Sequence, residues 1–300
     1  MKIAILGLDA AGKTSFISTL RRKYSEALDP QPTKGISRTT LNILGVELNF
    51  WDFGGQEAYR SMHLSKPESL ASVDLVLYLI DITDTERFDE SIEYLSSLID
   101  QTDLGNVDRS RFVFCLHKAD PDRVMEDDAI LQNISLGSEK LRETMPGAQI
   151  FETSIFSPPT ILSAVSVGIQ RTVTKGDVVD SLLKNFAEQT GSMAVNLLTS
   201  EALSFGTYAD SEESETISET LGFSFVEAWE TMASRGHQPV SLTMQLKHGW
   251  AFFLRVLLEH KDFLFLVIYA EAEEALGPIL TNIPDFAEKI SDVVRAFDKI

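Results

Sequence analysis

The N-terminal stretch of the chain contains the feature that most constrains its fold. A short apolar run, Ile3 to Leu6, opens directly onto GLDAAGKT at residues 7–14, which fits the phosphate-binding pattern G-x-x-x-x-G-K-[ST]. In this pattern the glycines let successive backbone N–H groups turn toward a phosphate, and the next helix directs its positive end at the same anion. An octet of this kind directly after a strand predicts a nucleoside-phosphate site, rather than a glycine-rich turn that binds nothing.

Each residue of this loop is expected to meet the phosphates. Lys13 can reach the β- and γ-phosphates, and the Thr14 hydroxyl can bind Mg²⁺. The predicted phosphate-binding residues are Gly7, Leu8, Asp9, Ala10, Ala11, Gly12, Lys13, Thr14 and Ser15.

The sequence WDFGGQE, which begins at Trp51, is expected to face the terminal phosphate. Gly55 can donate its N–H to the γ-phosphate, and Gln56 is the predicted catalytic residue because its side chain can orient the attacking water. The alternative is a plain turn with Gln56 on the surface. The spacing from Asp52 to Gln56 argues against that alternative.

Oxygen-bearing side chains in three separate stretches are predicted to hold Mg²⁺: Thr14, Thr33 and Asp52. Asp52 ends a predicted strand and can hold the ion through water. Thr33 lies in the loop before a predicted hairpin, where it can also sense the γ-phosphate. Thr39 and Thr40 remain competing candidates for that role.

Two later stretches are expected to bind a guanine base. In HKAD, which starts at His117, the Asp120 carboxylate can accept hydrogen bonds from both guanine N1–H and the 2-amino group. Adenine lacks this pair of donors, so Asp120 is the predicted specificity residue. The aliphatic stem of Lys118 can cover the ring. Ser154 and Ile155 are predicted to complete the pocket, with the Ile155 N–H directed at the guanine O6.

Strands alternate with helices up to residue 173, which predicts a doubly wound α/β domain with its ligand at the carboxyl ends of the strands. Four elements of this prediction are a helix from Lys13 to Tyr24, a hairpin turn near Gly45, an irregular stretch up to Ser72, and one charged helix from Glu126 to Met145.

The pattern changes after a short predicted linker, Lys175–Gly176–Asp177. A helix, two strands, a helix, three strands and a final helix indicate an α+β domain with an antiparallel sheet. The acidic stretch Asp210 to Glu215 is expected to be a solvated loop, and the last helix is expected to begin at Pro284. The predicted domains are residues 1–174 and 178–300.

Composition excludes several classes of function. The formal net charge is −19, which disfavours binding to nucleic acid or to an anionic membrane. No apolar run reaches transmembrane length, and no secretory leader or lipid anchor is expected. Cys115 is the single cysteine, so no disulfide can form within the chain, and a cytoplasmic location is expected. The histidines show no ligand spacing, so no structural zinc is expected.

These motifs resemble those of the Ras-superfamily small GTPases. GLDAAGKT and WDFGGQE are most similar to the Arf branch, whereas HKAD and TSIF, residues 153–156, resemble the HKMD and TSIW of the Rag/Gtr GTPases. His117 departs from the usual Asn of the base motif. The element order after residue 177 resembles the roadblock-like domain of Rag proteins. The resemblance therefore implies a P-loop small-GTPase domain, doubly wound with a mostly parallel sheet, followed by an α+β roadblock/longin-like domain.

A Rag/Gtr-like GTPase would act as a molecular switch. GTP with Mg²⁺ would order Thr33 and the segment at Gly55, and hydrolysis to GDP and phosphate would release them. Asp9 stands where Ras has Gly and Arfs have Asp, and a carboxylate there cannot donate to phosphate. A low intrinsic rate of GTP hydrolysis is therefore expected, and an activating protein would raise it. An exchange factor would return the switch to its GTP-bound state. The alternatives are an Arf-type trafficking GTPase and a nucleotide-locked scaffold with little hydrolysis.

The C-terminal domain is expected to dimerise, with a second copy or with a Rag-like chain, and a roadblock-type scaffold is a further expected partner. Recruitment to a membrane surface would then depend on partners. In the strand Ser241–Leu246 the apolar Leu242, Met244 and Leu246 alternate with polar residues, which predicts one buried face. This strand has no charge, whereas an exposed edge strand is normally protected by Lys or Pro.

Two further features bear on how this domain packs. In the strand Phe263–Ala270 the residues that point to either face are apolar, which predicts a sheet covered on both faces. The helix before Ser234 has more apolar surface than one sheet face requires. The alternative is that Gly222 breaks this helix and all of its apolar residues pack internally.

Overall fold

The apolar runs of the N-terminal half form a six-stranded sheet. The computed structural model describes residues 1–43, 46–172, 176–258 and 263–297. The strands of this first unit are β1 (Lys2–Leu6), β2 (Ile36–Ile43), β3 (Val46–Phe53), β4 (Leu75–Asp81), β5 (Phe112–His117) and β6 (Gln149–Thr153). Their order is β2-β3-β1-β4-β5-β6, and the pairs β1–β3, β1–β4, β4–β5 and β5–β6 are parallel. The predicted parallel-dominated sheet is thus confirmed.

Helices cover both faces of this sheet. They are α1 (Lys13–Leu20), α2 (Tyr24–Leu28), α3 (Glu57–Ser65), α4 (Phe88–Gln101), α5 (Pro121–Glu126), α6 (Asp128–Thr144) and α7 (Pro158–Thr172). Leu95 of α4 and Ile134 of α6 share one buried cluster with Tyr78 and Phe114 of the sheet. On the opposite face, α7 packs so closely that a Cβ at Gly168 would lie 2.8 Å from Leu75. The domain is therefore doubly wound.

The first helix is shorter than predicted, because it ends at Leu20 and not at Tyr24. Arg22 adopts a left-handed backbone conformation with φ of 56°, which a continuing α-helix does not allow. A separate short helix, α2, follows at Tyr24.

The prediction of an irregular stretch up to Ser72 is wrong, since α3 occupies Glu57–Ser65 and a 3₁₀ turn follows at Pro67–Leu70. The only fully buried side chain of α3 is His63. A helix that packs through a histidine leaves no periodic apolar pattern, and this explains why the sequence did not reveal it.

The predicted charged helix from Glu126 to Met145 is two helices, α5 and α6. Asp127 separates them, and its carboxylate accepts a hydrogen bond from the Ala129 N–H at 2.9 Å as the N-cap of α6. The predicted turn near Gly45 lies outside the described residues.

A five-stranded antiparallel sheet forms the second unit, as predicted. Its strands are β7 (Ser192–Leu198), β8 (Ser204–Ala209), β9 (Ser241–Leu246), β10 (Gly249–Leu257) and β11 (Phe263–Ala270), and its helices are α8 (Gly176–Thr190), α9 (Glu212–Ser234) and α10 (Leu276–Phe297). The strand order is β8-β7-β11-β10-β9, and neighbouring strands pair antiparallel throughout.

Both faces of this second sheet are covered, as the composition of β11 predicted. On one face, Leu183 of α8 and Ile279 of α10 join Ile268 of β11 in a buried cluster. On the other face, the Trp229 ring of α9 lies 5.0 Å from the Phe265 ring. Residues of alternating parity in β11 thus contact different helices.

Three predicted boundaries in this unit are wrong. In the predicted linker Lys175–Asp177, residues 176 and 177 belong to α8, which begins at Gly176, and Lys175 lies outside the described residues. The acidic loop is mostly the first turn of α9, where Ser211 is the N-cap and glutamates interact favourably with the positive helix end.

The third boundary is the start of the last helix. Helix α10 begins at Leu276 and contains Pro284, which was predicted as its first residue. An internal proline removes one backbone hydrogen bond. The helix continues because Ile279, Phe286 and Ile290, on both sides of the proline, are packed in the core.

The predicted buried face of β9 is largely absent. Leu242 and Leu246 are half-buried, whereas the Met244 residue is 40% exposed. Strand β9 is at the sheet edge. Gly222 does not break the middle helix, because it lies buried inside the continuous α9.

Across the described ranges, no helix has both the length and the apolar character needed to span a membrane.

Candidate nucleotide-binding site

A cavity of about 500 Å³ lies beside the loop that follows β1. Its volume is within the range of small-molecule binding sites. Of the predicted phosphate-binding residues, Asp9, Ala10, Gly12, Lys13, Thr14 and Ser15 line it. Five other predicted site residues also line it: Thr33, Gly55, Gln56, Lys118 and Ile155. The loops after β1, β3, β5 and β6 therefore converge here, as expected at the carboxyl edge of a parallel sheet.

Lys13 is held inside the phosphate loop by the loop itself. Its Nζ donates to the carbonyl oxygens of Gly7 at 3.0 Å and Leu8 at 2.6 Å, and the residue is 6% exposed. Burial lowers the pKa of Lys13 to about 8, although Asp52 and Asp9 oppose this shift. A buried cation of this kind favours an anion in the adjoining cavity. Ala11, predicted with this group, is buried beside it.

The three predicted metal ligands meet through their side-chain oxygens. The hydroxyls of Thr14 and Thr33 donate to Asp52 Oδ2 at 2.8 and 2.7 Å, and the two hydroxyls are 2.9 Å apart. Asp52 Oδ1 is buried and has no hydrogen-bond partner among the described residues. One carboxylate and two hydroxyls are hard oxygen donors of the kind that Mg²⁺ prefers, so the residues fit that ion. Thr33, rather than Thr39 or Thr40, occupies this position.

The segment after β3 packs directly on the phosphate loop. The Asp9 N–H donates to the Gly55 carbonyl at 3.1 Å, and a Cβ at position 55 would lie 2.3 Å from the Asp9 nitrogen. Glycine is therefore required at this close approach. Gln56 follows as the N-cap residue of α3, and its exposed side chain lines the cavity without capping the helix. It is free to contact a bound molecule.

At the other end of the cavity, the predicted base-binding residues contact one another. The Ser154 hydroxyl donates to Asp120 Oδ1 at 2.6 Å. Lys118 pairs with Asp81 at 2.6 Å and lines the cavity, as does Ile155. Asp120 and Ser154 are not themselves lining residues. Their hydrogen bond instead sets the orientation of the carboxylate next to Lys118 and Ile155.

His117 is a buried residue and lies against the phosphate loop. Its Nδ1 is 2.9 Å from the Thr153 hydroxyl, and its ring is edge-on to Phe16 with centroids 5.7 Å apart. Burial, assisted by the nearby Lys118 cation, lowers the pKa of His117 to about 4. The ring is therefore neutral near pH 7.

Sequence reasoning missed several residues of the site. Asp81, which pairs with Lys118, was detectable because it is the last residue of the apolar strand β4 at the carboxyl edge of the sheet. Leu28, the last residue of α2, lines the cavity together with Pro30 and Pro32 of the loop before β2, and no motif marks these residues. Arg87 was also missed, and it contacts Asp9.

Comparisons with known proteins agree with this geometry. Residues 1–167 match the model of the Arf: ADP-ribosylation factor family. ADP-ribosylation factor-like protein 3 of Saccharomyces cerevisiae is 39% identical over 110 residues, which are 35% of this chain and 54% of that protein. The protein of the same name from Caenorhabditis elegans is 35% identical over 108 residues, 36% of this chain and 56% of that protein. The chain thus spans about half the length of these curated relatives.

Among solved structures, the chain is similar to the small GTPase Arl6 BBS3 of Trypanosoma brucei, a structure with the bound nucleotide analogue GppNp. The sequence identity is 17%, the TM-score is 0.45, and the match covers 57% of this chain and 96% of that one. A TM-score of this size supports no argument about function. The family match ends at residue 167, inside α7, and leaves the second unit outside it.

Proposed function

This chain belongs to the ADP-ribosylation factor family, and from that premise we propose that it is a molecular switch that binds GTP and hydrolyses it to GDP and phosphate. The observation that carries the proposal is the meeting of Thr14, Thr33 and Asp52 beside the buried Lys13 amine. These groups come from different stretches of the chain. Their convergence matches the needs of a magnesium–triphosphate group.

The proposed roles follow from the chemistry of each group. Lys13 and the backbone N–H groups of the phosphate loop would hold the β- and γ-phosphates. Thr14, Thr33 and Asp52 would hold Mg²⁺, which supplies charge neutralisation when it is bound. Gln56, exposed at the cavity, would orient the attacking water through its side-chain amide. Hydrolysis would release Thr33 and so change the surface of the switch segments.

We assign base specificity to Asp120. Its carboxylate, oriented by the Ser154 hydroxyl, would accept both donors on the Watson–Crick edge of guanine. Adenine would place its N1 acceptor opposite the partly buried Asp120 acceptor, and this mismatch costs more free energy than the loss of one contact.

The finer proposal is a switch of Rag/Gtr type whose second unit is a roadblock-like dimerisation domain. Two observations support it. The sequences HKAD and TSIF at residues 117–120 and 153–156 resemble the Rag motifs. The second unit has the helix and strand order that the resemblance requires. An exchange factor, an activating protein and a roadblock-type scaffold would be its partners.

The alternative is a switch of Arf type that acts in trafficking, and the family match together with GLDAAGKT and WDFGGQE favours it. Association with protein-free liposomes in the presence of GTP would support the Arf-type role. Dimerisation through the second unit without liposome binding would support the Rag type.

The test of the core proposal is nucleotide binding followed by single-turnover hydrolysis on the full chain. We expect fluorescent GDP to bind with Mg²⁺ and to be displaced by GTP but not by ATP. Gln56→Leu should bind GTP normally and release phosphate at least about tenfold more slowly. Gln101→Leu, at the exposed end of α4, is the matched control and should hydrolyse at the wild-type rate. Binding of neither GDP nor GTP would refute the proposal.

A further inference from the structure

Four charged side chains form a continuous chain of ion pairs beside the phosphate loop. Arg87 Nη2 donates to Asp9 Oδ1 at 2.7 Å, and Arg87 Nε donates to Glu90 Oε2 at 2.8 Å. Glu90 Oε1 accepts a hydrogen bond from Arg60 Nη2 at 2.5 Å. The chain therefore runs from Asp9 in the phosphate loop, through Arg87 and Glu90 at the start of α4, to Arg60 in α3.

Arg87 is fixed by this network at every nitrogen of its guanidinium. Besides the bonds to Asp9 Oδ1 and Glu90 Oε2, its Nη1 lies 3.4 Å from the Asp9 carbonyl oxygen. These hydrogen bonds raise the pKa of Arg87 and lower that of Glu90. An arginine with each of its guanidinium nitrogens engaged in this way is suited to hold a neighbouring group in place. It is not suited to swing toward a reacting phosphate.

The group that Arg87 holds is Asp9, which lines the cavity together with Gly55 and Gln56. The Asp9 backbone N–H is bonded to Gly55, so the main chain at position 9 faces the segment assigned to the terminal phosphate. Without a partner, a carboxylate at this point would repel that phosphate. The Arg87 cation both neutralises it and directs it toward α4.

We propose that Arg87 is a positioning residue that holds the Asp9 carboxylate away from the terminal phosphate, and so allows the site to accept a nucleoside triphosphate as well as a diphosphate. The inference rests on the proposed guanine-nucleotide function. A triphosphate carries more negative charge than a diphosphate, and its extra charge lies at the end of the site that Asp9 faces. Loss of Arg87 should therefore weaken the binding of the triphosphate more than the binding of the diphosphate.

The experiment compares the affinities of the full chain for GDP and for the non-hydrolysable analogue GppNHp, both with Mg²⁺. In Arg87→Gln the ratio of the Kd for GppNHp to the Kd for GDP should rise roughly 3- to 10-fold, an effect typical of a partly exposed ion pair. In Arg87→Lys this ratio should rise less than in Arg87→Gln, because lysine keeps the positive charge.

The decisive variant combines Arg87→Gln with Asp9→Asn. If Arg87 acts through the Asp9 charge, Arg87→Gln will leave the ratio unchanged in the Asp9→Asn background. Lys140→Gln is the matched control, because Lys140 pairs with Asp89 on α4 at 2.6 Å and its side chain is 30% exposed, like that of Arg87. In Lys140→Gln the ratio of the Kd for GppNHp to the Kd for GDP should equal that of the wild type.

Two outcomes would overturn the inference. One is an equal loss of affinity for both nucleotides in Arg87→Gln, which indicates a merely structural role. The other is a rise in the Kd ratio on Arg87→Gln that is as large in the Asp9→Asn background as in the wild-type background. A wild-type chain that binds neither nucleotide would instead refute the proposed function, so the two failures are distinguishable.

Discussion

The imidazole of His117 lies directly against Gly12: a Cβ built at position 12 would fall 2.5 Å from His117 Cδ2 and 2.8 Å from Nε2. The residue that opens the predicted base motif therefore contacts the phosphate loop immediately before Lys13. The ring therefore packs between the end of β5, which carries the predicted base motif, and the phosphate loop. It also makes the backbone at Gly12 intolerant of any side chain.

Gly12→Ala should abolish nucleotide binding and destabilise the fold. The backbone at Gly12 has φ of +86°, which strains an L-residue, and the added methyl group would collide with the His117 ring. The two effects together should lower the free energy of unfolding by about 1–3 kcal/mol, as measured by urea denaturation. The control is Gly277→Ala in α10, where an added Cβ meets nothing within 4 Å. Normal GDP binding by Gly12→Ala would contradict the observed contact.

Stability should fall below about pH 6.5, in part because His117 is buried as the neutral ring. Burial lowers the pKa of His117 from 6.5 to about 4. Between these values the unfolded chain binds a proton that the folded chain does not bind, so the free energy of unfolding decreases as the pH falls. At pH 5.0 the loss from this residue should be about 2 kcal/mol relative to pH 7.5.

Urea denaturation of the wild type and of His117→Asn at both pH values tests this expectation. Asparagine does not titrate, so the difference in stability between pH 7.5 and pH 5.0 should be smaller in the variant. Carboxylates contribute equally to both proteins. An identical difference in the two proteins would show that the proton uptake occurs elsewhere.

The sequence was sufficient to predict those parts of the fold and site that depend on local pattern. The buried strands β1, β4 and β5 are almost wholly apolar, so their positions and their parallel pairing followed from composition. The meeting of Thr14 with Asp52 followed because Thr14 comes after β1 and Asp52 stands near the end of the neighbouring strand β3, at one edge of the sheet. The two covered faces of the second sheet followed from β11.

The parts that the sequence did not reveal depend on tertiary contacts without a periodic signal. Helix α3 packs through His63, whose Nε2 lies 3.2 Å from the Gly54 carbonyl oxygen, and no apolar repeat marks it. The Asp9–Arg87 pair joins residues 78 positions apart. Arg87 stands in a charged stretch that, read alone, suggests only a solvated helix end. Spacing carries no information about such a pair.

Asp120→Asn should shift the base preference from guanine toward xanthine. The substitution replaces one carboxylate oxygen by an amide donor, and xanthine presents a carbonyl where guanine has its 2-amino group. We expect the Kd for GDP to rise at least about tenfold while binding of xanthosine diphosphate is gained. Competition titrations against both diphosphates measure the change.

Ser154→Ala is a second variant at the base site, and its expected effect is smaller than that of Asp120→Asn. It removes the donor that orients Asp120 but keeps the carboxylate, so GDP should bind more weakly without any gain for the xanthine nucleotide. An unchanged preference for GDP in Asp120→Asn would remove Asp120 from the base site.

The full chain should form dimers through β9, the edge strand of the second sheet. The sequence Ser241–Leu246 has no charged residue, and its Met244 is 40% exposed on the same strand face as the half-buried Leu242 and Leu246. An edge strand without a charge, proline or bulge offers free backbone groups for pairing with another chain. Pairing of two such edges, with contacts beside them, would bury on the order of 1,200–2,000 Å².

Light scattering at tens of micromolar measures this association directly. Met244→Lys places a charge in the proposed interface and should weaken the dimer at least about tenfold, because a buried unpaired cation is costly. Leu131→Lys, on α6 in the first unit and 48% exposed, is the matched control and should remain dimeric. A monomeric full chain at these concentrations would exclude self-association, and the proposed partner would then have to be a different chain. A dimer that Met244→Lys leaves intact would place the interface away from β9.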